Sequence, residues 1–186
     1  MTKKIQYARI VELESLNRTK EHLKDSKFLS LFQTEENKND LDFSNKKKTY
    51  GLEQTSILSE GMCDQLAYLE EKGKGRNPKS TKAMTVKNIE GEEIFAFLGF
   101  GHESLYREIM KRIKEKEESV IKKMVLFPTY CKVDLLLTIP YLTEDFEKVF
   151  ERVKKVFETR ETIFDFIYID TISEIKTIPC NKRNVE

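Results

Sequence analysis

The chain has 186 residues, of which 39% are hydrophobic and 35% charged, with a formal net charge of +1. This composition argues for one globular domain with a heavily charged surface and against a disordered chain or two ordinary domains. No run approaches the roughly 20 apolar residues that a membrane-crossing helix needs, and the opening "MTKKIQYARIVELESLNR" lacks the pattern of a signal peptide, so a cytoplasmic protein without membrane association is expected.

In chain order, the first dozen residues read as a strand, and the apolar spacing from Leu16 to Phe32 predicts a helix near 16–32. Residues 33–48, "QTEENKNDLDFSNKKK", hold only Leu41 and Phe43 as large apolar groups and read as a long or disordered loop. Leu58, Met62, Leu66 and Leu69 fall on one helical face and predict a helix over 53–71, ended by Gly73 and Gly75. A basic flexible loop follows at 72–82, "KGKGRNPKSTK", with five basic residues and no acidic one. Glu90-Gly91 between two strand-like runs predicts a hairpin with strands near 83–89 and 92–99. Then come a helix near 102–124, a buried strand near 131–139 and a helix near 144–159, whose Phe146, Val149, Phe150, Val153 and Phe157 keep helical spacing. Strands near 163–169 and 172–178 close the chain. The expected fold class is α+β, a single domain over 1–186 with a mostly antiparallel sheet packed with helices.

The strands at 94–100 and 163–169 each carry aromatic residues on one side, because side chains alternate along a strand. Two coverings are conceivable: helices on both faces of the sheet, or an open face that stacks nucleobases. "EIFAFLGF" at 93–100 resembles the longer consensus octamer of the RNA-recognition motif through Phe95, Ala96, Phe97, Leu98 and Phe100, and departs from it at Glu93 and Ile94. That resemblance implies base stacking on Phe95 and Phe97, with "LDFSN" at 41–45 as the counterpart of the family's shorter motif.

Three widely spaced cysteines, Cys63, Cys131 and Cys180, fit neither a disulfide framework nor a CxxC metal site and are expected as reduced thiols, Cys131 buried. His22 and His102 have no neighbouring ligand residues, so no metal or other cofactor is expected. "GFGHES" lacks the further residues of a Rossmann or P-loop turn. Asp134 and Asp165, each inside a hydrophobic strand, need partners. With Glu174 and Lys176 they offer the Asp, Glu-x-Lys set of magnesium-dependent nucleases.

Three functions follow in order. The first is a non-catalytic protein-binding role, as inhibitor, adaptor or regulator, in a composition suited to a phage or other mobile element. The second is single-stranded nucleic-acid binding through Lys72, Lys74, Arg76, Lys79 and Lys82 with Phe95 and Phe97. The third is a magnesium-dependent nuclease. No catalytic residue is otherwise assigned, and enzymatic activity is not the leading expectation.

Overall fold

A computed structural model describes residues 3–34, 40–57, 85–87, 93–95, 101–140, 146–171 and 173–182, with the backbone alone for 3–11, 85–87 and 93–95. The chain begins with helix α1 (Lys3–Leu23), so the expected N-terminal strand is helical. Its sequence is rich in strong helix formers and has no glycine or proline, which outweighs the apolar pattern of the first residues. The helix predicted to run on to Phe32 is interrupted. Lys24 takes a left-handed φ of 48° and its N–H closes on the Lys20 carbonyl at 3.1 Å, a helix-ending geometry. Asp25 then accepts from the Lys27 N–H at 2.9 Å and starts the four-residue helix α2 (Ser26–Leu29).

The strands are β1 (Phe32–Gln33), β2 (Phe43–Ser44), β3 (Tyr50–Ser56), β4 (Thr85–Lys87), β5 (Glu93–Phe95), β6 (Lys132–Ile139), β7 (Glu161–Thr162), β8 (Phe166–Thr171), β9 (Ile175–Pro179) and β10 (Asn181–Lys182). Helix α3 (His102–Leu126) precedes β6, and α4 (Phe146–Thr159) lies between β6 and β7. Among the described residues, six strands form one sheet in the order β1-β2-β3-β6-β8-β9. The fold is α+β and the sheet is mixed. Its flanks are antiparallel, but the long central pairings β3–β6 and β6–β8 are parallel. Parallel neighbours need crossover connections, and here α3 enters β6 and α4 leaves it. The hairpin expected near 83–99 is present as the separate pair β4–β5, with Thr85 opposite Phe95.

Helices cover both faces of the main sheet. On one, α1 and α2 bury Leu16 and Phe28 against Tyr50, Leu52, Leu136 and Tyr168. On the other, α3 and α4 bury Leu105, Ile109, Ile113, Val149 and Phe157 against the alternate residues Val133, Leu135 and Leu137. Gly51 is closely packed on the second face. A methyl there would meet Leu41 Cδ1 at 2.2 Å and Tyr130 Cε1 at 3.0 Å. Gly51→Ala is expected to cost about 1–3 kcal/mol by overpacking, read as a lower urea midpoint at unchanged slope.

Several boundaries differ from the sequence reading, each for a local reason. Residues 53–56, expected as the start of a helix, belong to β3; the rest of that helix, 58–71, lies outside the described residues. Within 33–48, Gln33 is in β1 and Phe43–Ser44 form β2. The strand expected at 163–169 runs from Phe166 to Thr171, because Asp165 bends the chain: its N–H donates to the Val133 carbonyl at 2.9 Å and its carboxylate accepts from the Val133 N–H at 3.0 Å. Phe164 therefore leaves the alternation and is buried with the α3–α4 cluster, while Phe166 and Tyr168 lie on the α2 side. Cys131, expected to be buried, is exposed, since it stands on the rim just before β6 begins. Cys180 is half-buried, and burial pushes its thiol up to about 12. Among the described residues no helix is long and apolar enough to cross a membrane.

Candidate active site

Alternation along β3 sends Leu52 and Gln54 toward α1 and leaves Glu53 and Thr55 on the α3 side. The antiparallel register pairs Phe43 with Leu52. Continued by one residue, it sets Asp42 beside Glu53. The Asp42 carboxylate is fixed there by the Gln54 N–H, which donates to Oδ2 at 2.8 Å.

Opposite these two carboxylates stands α3. Lys116 and Lys123 are two turns apart and so share one face of the helix. Lys123 Nζ donates to both oxygens of Glu53 at 2.9 Å. Lys116 Nζ donates to Glu53 Oε1 at 2.8 Å and lies 3.6 Å from Asp42 Oδ2. Glu53 is 1% exposed, whereas Asp42 is open to solvent on one side. Burial pulls the Lys116 ammonium down, but the charges of Glu53 and Asp42, with a smaller pull from Glu12, outweigh it and hold the group above its ordinary range. The result is a largely buried recess in which two carboxylates and two ammonium groups converge, with Asp42 its most exposed member. Among the described residues, no group of three or more His, Cys, Asp or Glu side chains could hold a metal ion alone. Both Glu53 oxygens and Asp42 Oδ2 already accept from N–H groups of Lys116, Lys123 and Gln54, so a cation would enter only by displacing an ammonium group.

Near this recess, Asp40 is a structural anchor. Lys48 Nζ at 2.7 Å, Tyr130 Oη at 2.8 Å and the Leu41 N–H at 2.8 Å all donate to it. Burial opposes its charge, yet these bonds hold its carboxyl below the usual range.

The nuclease residues suggested by the sequence do not meet. Lys176 Nζ is bound to Glu147 of α4 at 2.5 Å, lies 3.5 Å from Glu174 and sits over the Phe150 ring. Asp165 is held by Lys182 at 2.9 Å at the opposite end of β8. Asp134 lies on the other face of the sheet, where Tyr50 Oη, Lys27 Nζ and the Phe166 N–H donate to it at 2.8, 3.1 and 3.1 Å. Of the proposed nucleic-acid set, Phe95 ends β5, while Lys72, Lys74, Arg76, Lys79, Lys82 and Phe97 lie outside the described residues. A separate polar cleft of about 310 Å³ opens between α1 and the β8–β9 turn. Its buried carboxylate, Asp170, is taken by the Arg18 guanidinium at 2.6 and 3.3 Å.

Asp42, Glu53, Lys116 and Lys123 were not singled out by the sequence. Asp42 lay in an apparent loop, Glu53 in an apparent helix, and Lys116 in "KEKEES", which reads as a solvated helix face. The usable signal was "YGLEQTS", a glutamate inside a run with strand-like residues at both ends. Comparison with models of known families, with curated proteins and with solved structures returned no match.

Proposed function

We propose that this chain is a divalent-metal-dependent phosphodiesterase whose site is Asp42, Glu53, Lys116 and Lys123. The observation that carries the reading is the Lys116 ammonium bridging a fully buried Glu53 and a solvent-open Asp42. A buried charge cluster is a weak stabilising device, since well-packed apolar side chains at the same places usually serve a fold as well or better. The neighbouring α3 positions Ile113 and Val120 are such side chains. What carboxylates and ammonium groups add is chemistry. Asp42 and Glu53 would supply hard oxygen ligands for a magnesium ion, which when bound would polarise a phosphoryl oxygen and lower the pKa of bound water. Lys116, at the open side, is placed to stabilise charge developing on the phosphate. Lys123, bound to both Glu53 oxygens, orients that carboxylate. Although burial opposes it, the charges of Glu53 and Asp42 hold Lys116 above its ordinary range, so its ammonium charge persists at neutral pH.

The test is hydrolysis of bis(p-nitrophenyl) phosphate and of labelled oligonucleotides with Mg²⁺ or Mn²⁺. Wild-type protein is expected to cleave and to stop on chelation. Asp42→Asn is expected to lower the rate by roughly 100-fold or more with little change in the urea midpoint, because Asp42 is part-exposed. No cleavage of any substrate, or cleavage indifferent to Asp42→Asn, would sink the proposal. A second reading, the non-catalytic protein-binding role, is favoured by Val125 and Leu126, both exposed in the last turn of α3. A pull-down in which Val125→Asp releases a specific partner would support it.

A further inference from the structure

We propose that one end of the molecule binds an anionic lipid surface, with Val125 and Leu126 entering the interface and Lys46, Lys47, Lys122 and Lys132 meeting lipid phosphates. This inference does not depend on the phosphodiesterase reading. Val125 is 76% exposed and Leu126 60%. So little of either is covered that they stand out from the last turn of α3 and do not line a groove. The Phe127 N–H closes the helix on the Lys123 carbonyl at 2.9 Å. The turn that follows is fastened by the Tyr130 N–H on the Phe127 carbonyl at 3.3 Å and carries the exposed Pro128 and Thr129. The β2–β3 turn belongs to the same end. Lys48 Nζ lies 4.6 Å from the Phe127 ring centroid, and the Thr49 carbonyl accepts from the N–H groups of Cys131 and Lys132 at 3.1 and 3.2 Å. Asn45 holds that turn, its Oδ1 accepting from the Thr49 and Tyr50 N–H groups at 2.9 and 3.3 Å.

Charge selects the partner. Residues 43–52 hold three lysines and no acid, and so do residues 119–133. Asp40 and Asp165, which reach this end from elsewhere in the chain, are taken by Lys48 at 2.7 Å and Lys182 at 2.9 Å. Lys46, Lys47, Lys122 and Lys132 are left exposed, with no ion pair among the described residues. A second copy of the chain would set these lysines against their own kind. A nucleic acid has phosphates but no apolar phase for Val125 and Leu126. An anionic bilayer supplies both within one interface, phosphates for the ammonium groups and, just beneath, the acyl boundary for aliphatic side chains. Long lysine stems let the charge stay at the phosphates while the backbone approaches. A protein partner, which the protein-binding reading assigns to Val125 and Leu126, would need both a groove for the two aliphatics and carboxylates placed to meet all four lysines. Association with lipid of this kind is peripheral and needs no membrane-crossing helix, of which the described residues contain none.

The experiment is sedimentation, at low and high salt, with vesicles of phosphatidylcholine alone and of phosphatidylcholine with phosphatidylserine at roughly 3:1. Wild type is expected to sediment with the anionic vesicles only and to be released by salt, which screens exposed charge. Lys46→Gln/Lys47→Gln and Lys122→Gln/Lys132→Gln are each expected to lower the partition coefficient roughly 30-fold, or about 5-fold per lysine. Val125→Asp/Leu126→Asp is expected to lower it roughly 10-fold or more. All these positions are exposed, and unchanged urea midpoints check that the variants stay folded. The chain has no tryptophan, so Leu126→Trp supplies a single fluorophore. Its emission is expected to shift to the blue on anionic vesicles and to be quenched by brominated acyl chains. No sedimentation of wild type with anionic vesicles at low salt overturns the proposal. So does sedimentation in which the tryptophan is unshifted and Val125→Asp/Leu126→Asp has no effect. A wild type that ignores vesicles but forms a dimer, or binds a defined protein, through Val125 and Leu126 assigns the end to that partner and overturns the lipid assignment.

Discussion

Glu53→Gln is expected to abolish metal-dependent cleavage, by a factor of roughly 100 to 1,000 or more, and to destabilise the protein by about 3–5 kcal/mol. Both effects arise from one charge. The carboxylate accepts from two ammonium groups in a recess where Glu53 is buried and Lys123 nearly so. A neutral amide leaves Lys116 and Lys123 without their main counter-charge. Stability and chemistry can be separated by a triple variant, Glu53→Leu with Lys116→Met and Lys123→Met. Removing Glu53 with both ammonium groups leaves only the part-exposed Asp42, which water can solvate, so stability should return to near wild type or exceed it by about 1–4 kcal/mol. Cleavage should stay absent. Urea melts and cleavage rates on the same preparations check both points, and a folded variant lacking Glu53 that still cleaves would overturn the assignment.

On the opposite face, Lys27→Met is expected to cost about 3–5 kcal/mol near neutral pH. Lys27 Nζ is 3.1 Å from Asp134 Oδ2, donates to Tyr168 Oη at 3.0 Å and lies over the Phe166 ring at 4.4 Å. Burial raises the Asp134 carboxyl above its ordinary value of 3.8, and the Lys27 charge and the Tyr50 hydroxyl only partly offset that. A carboxyl whose pKa is raised by folding favours the fold while it is protonated and loses that contribution as pH rises through its folded value. Without Lys27 the carboxyl rises further. The destabilisation in Lys27→Met should therefore shrink as pH falls from about 7 to about 5, and Lys27→Arg should keep most of the stability. Urea midpoints at the two pH values measure this; a deficit that stays constant would show that lost packing of the lysine stem, not the Asp134 charge, is responsible.

The sequence made some elements plain and concealed others for physical reasons. In α4, Phe146, Val149, Phe150, Val153 and Phe157 form one stripe, and they are all buried as the spacing requires. "VDLLLTI" is paired on both sides in β6, and a strand covered on both faces reads as a continuous apolar run. β3 has the same central position but carries Glu53 and Gln54 in its interior, and these two buried polar residues break the strand's hydrophobic signature. The shift of β8 came from Asp165, whose side chain acts on the Val133 N–H of a strand 32 residues earlier in the chain. Lys116 could not be told from the exposed Lys114, Glu115 and Glu118 in "KEKEES", because only the docking of α3 on β3 distinguishes it.

The parts of the recess also differ in how far the chain must travel to bring them together. Asp42 and Gln54 are 12 residues apart, within one hairpin, whereas Lys116 and Lys123 reach Glu53 across 63 and 70 residues. Closing the longer loop costs roughly 1.5 kcal/mol more in chain entropy than closing the shorter, and contacts at such separation form late. The hairpin part of the cluster is thus the less costly one to close, and most of the chain entropy that the cluster costs is lost in bringing α3 onto β3.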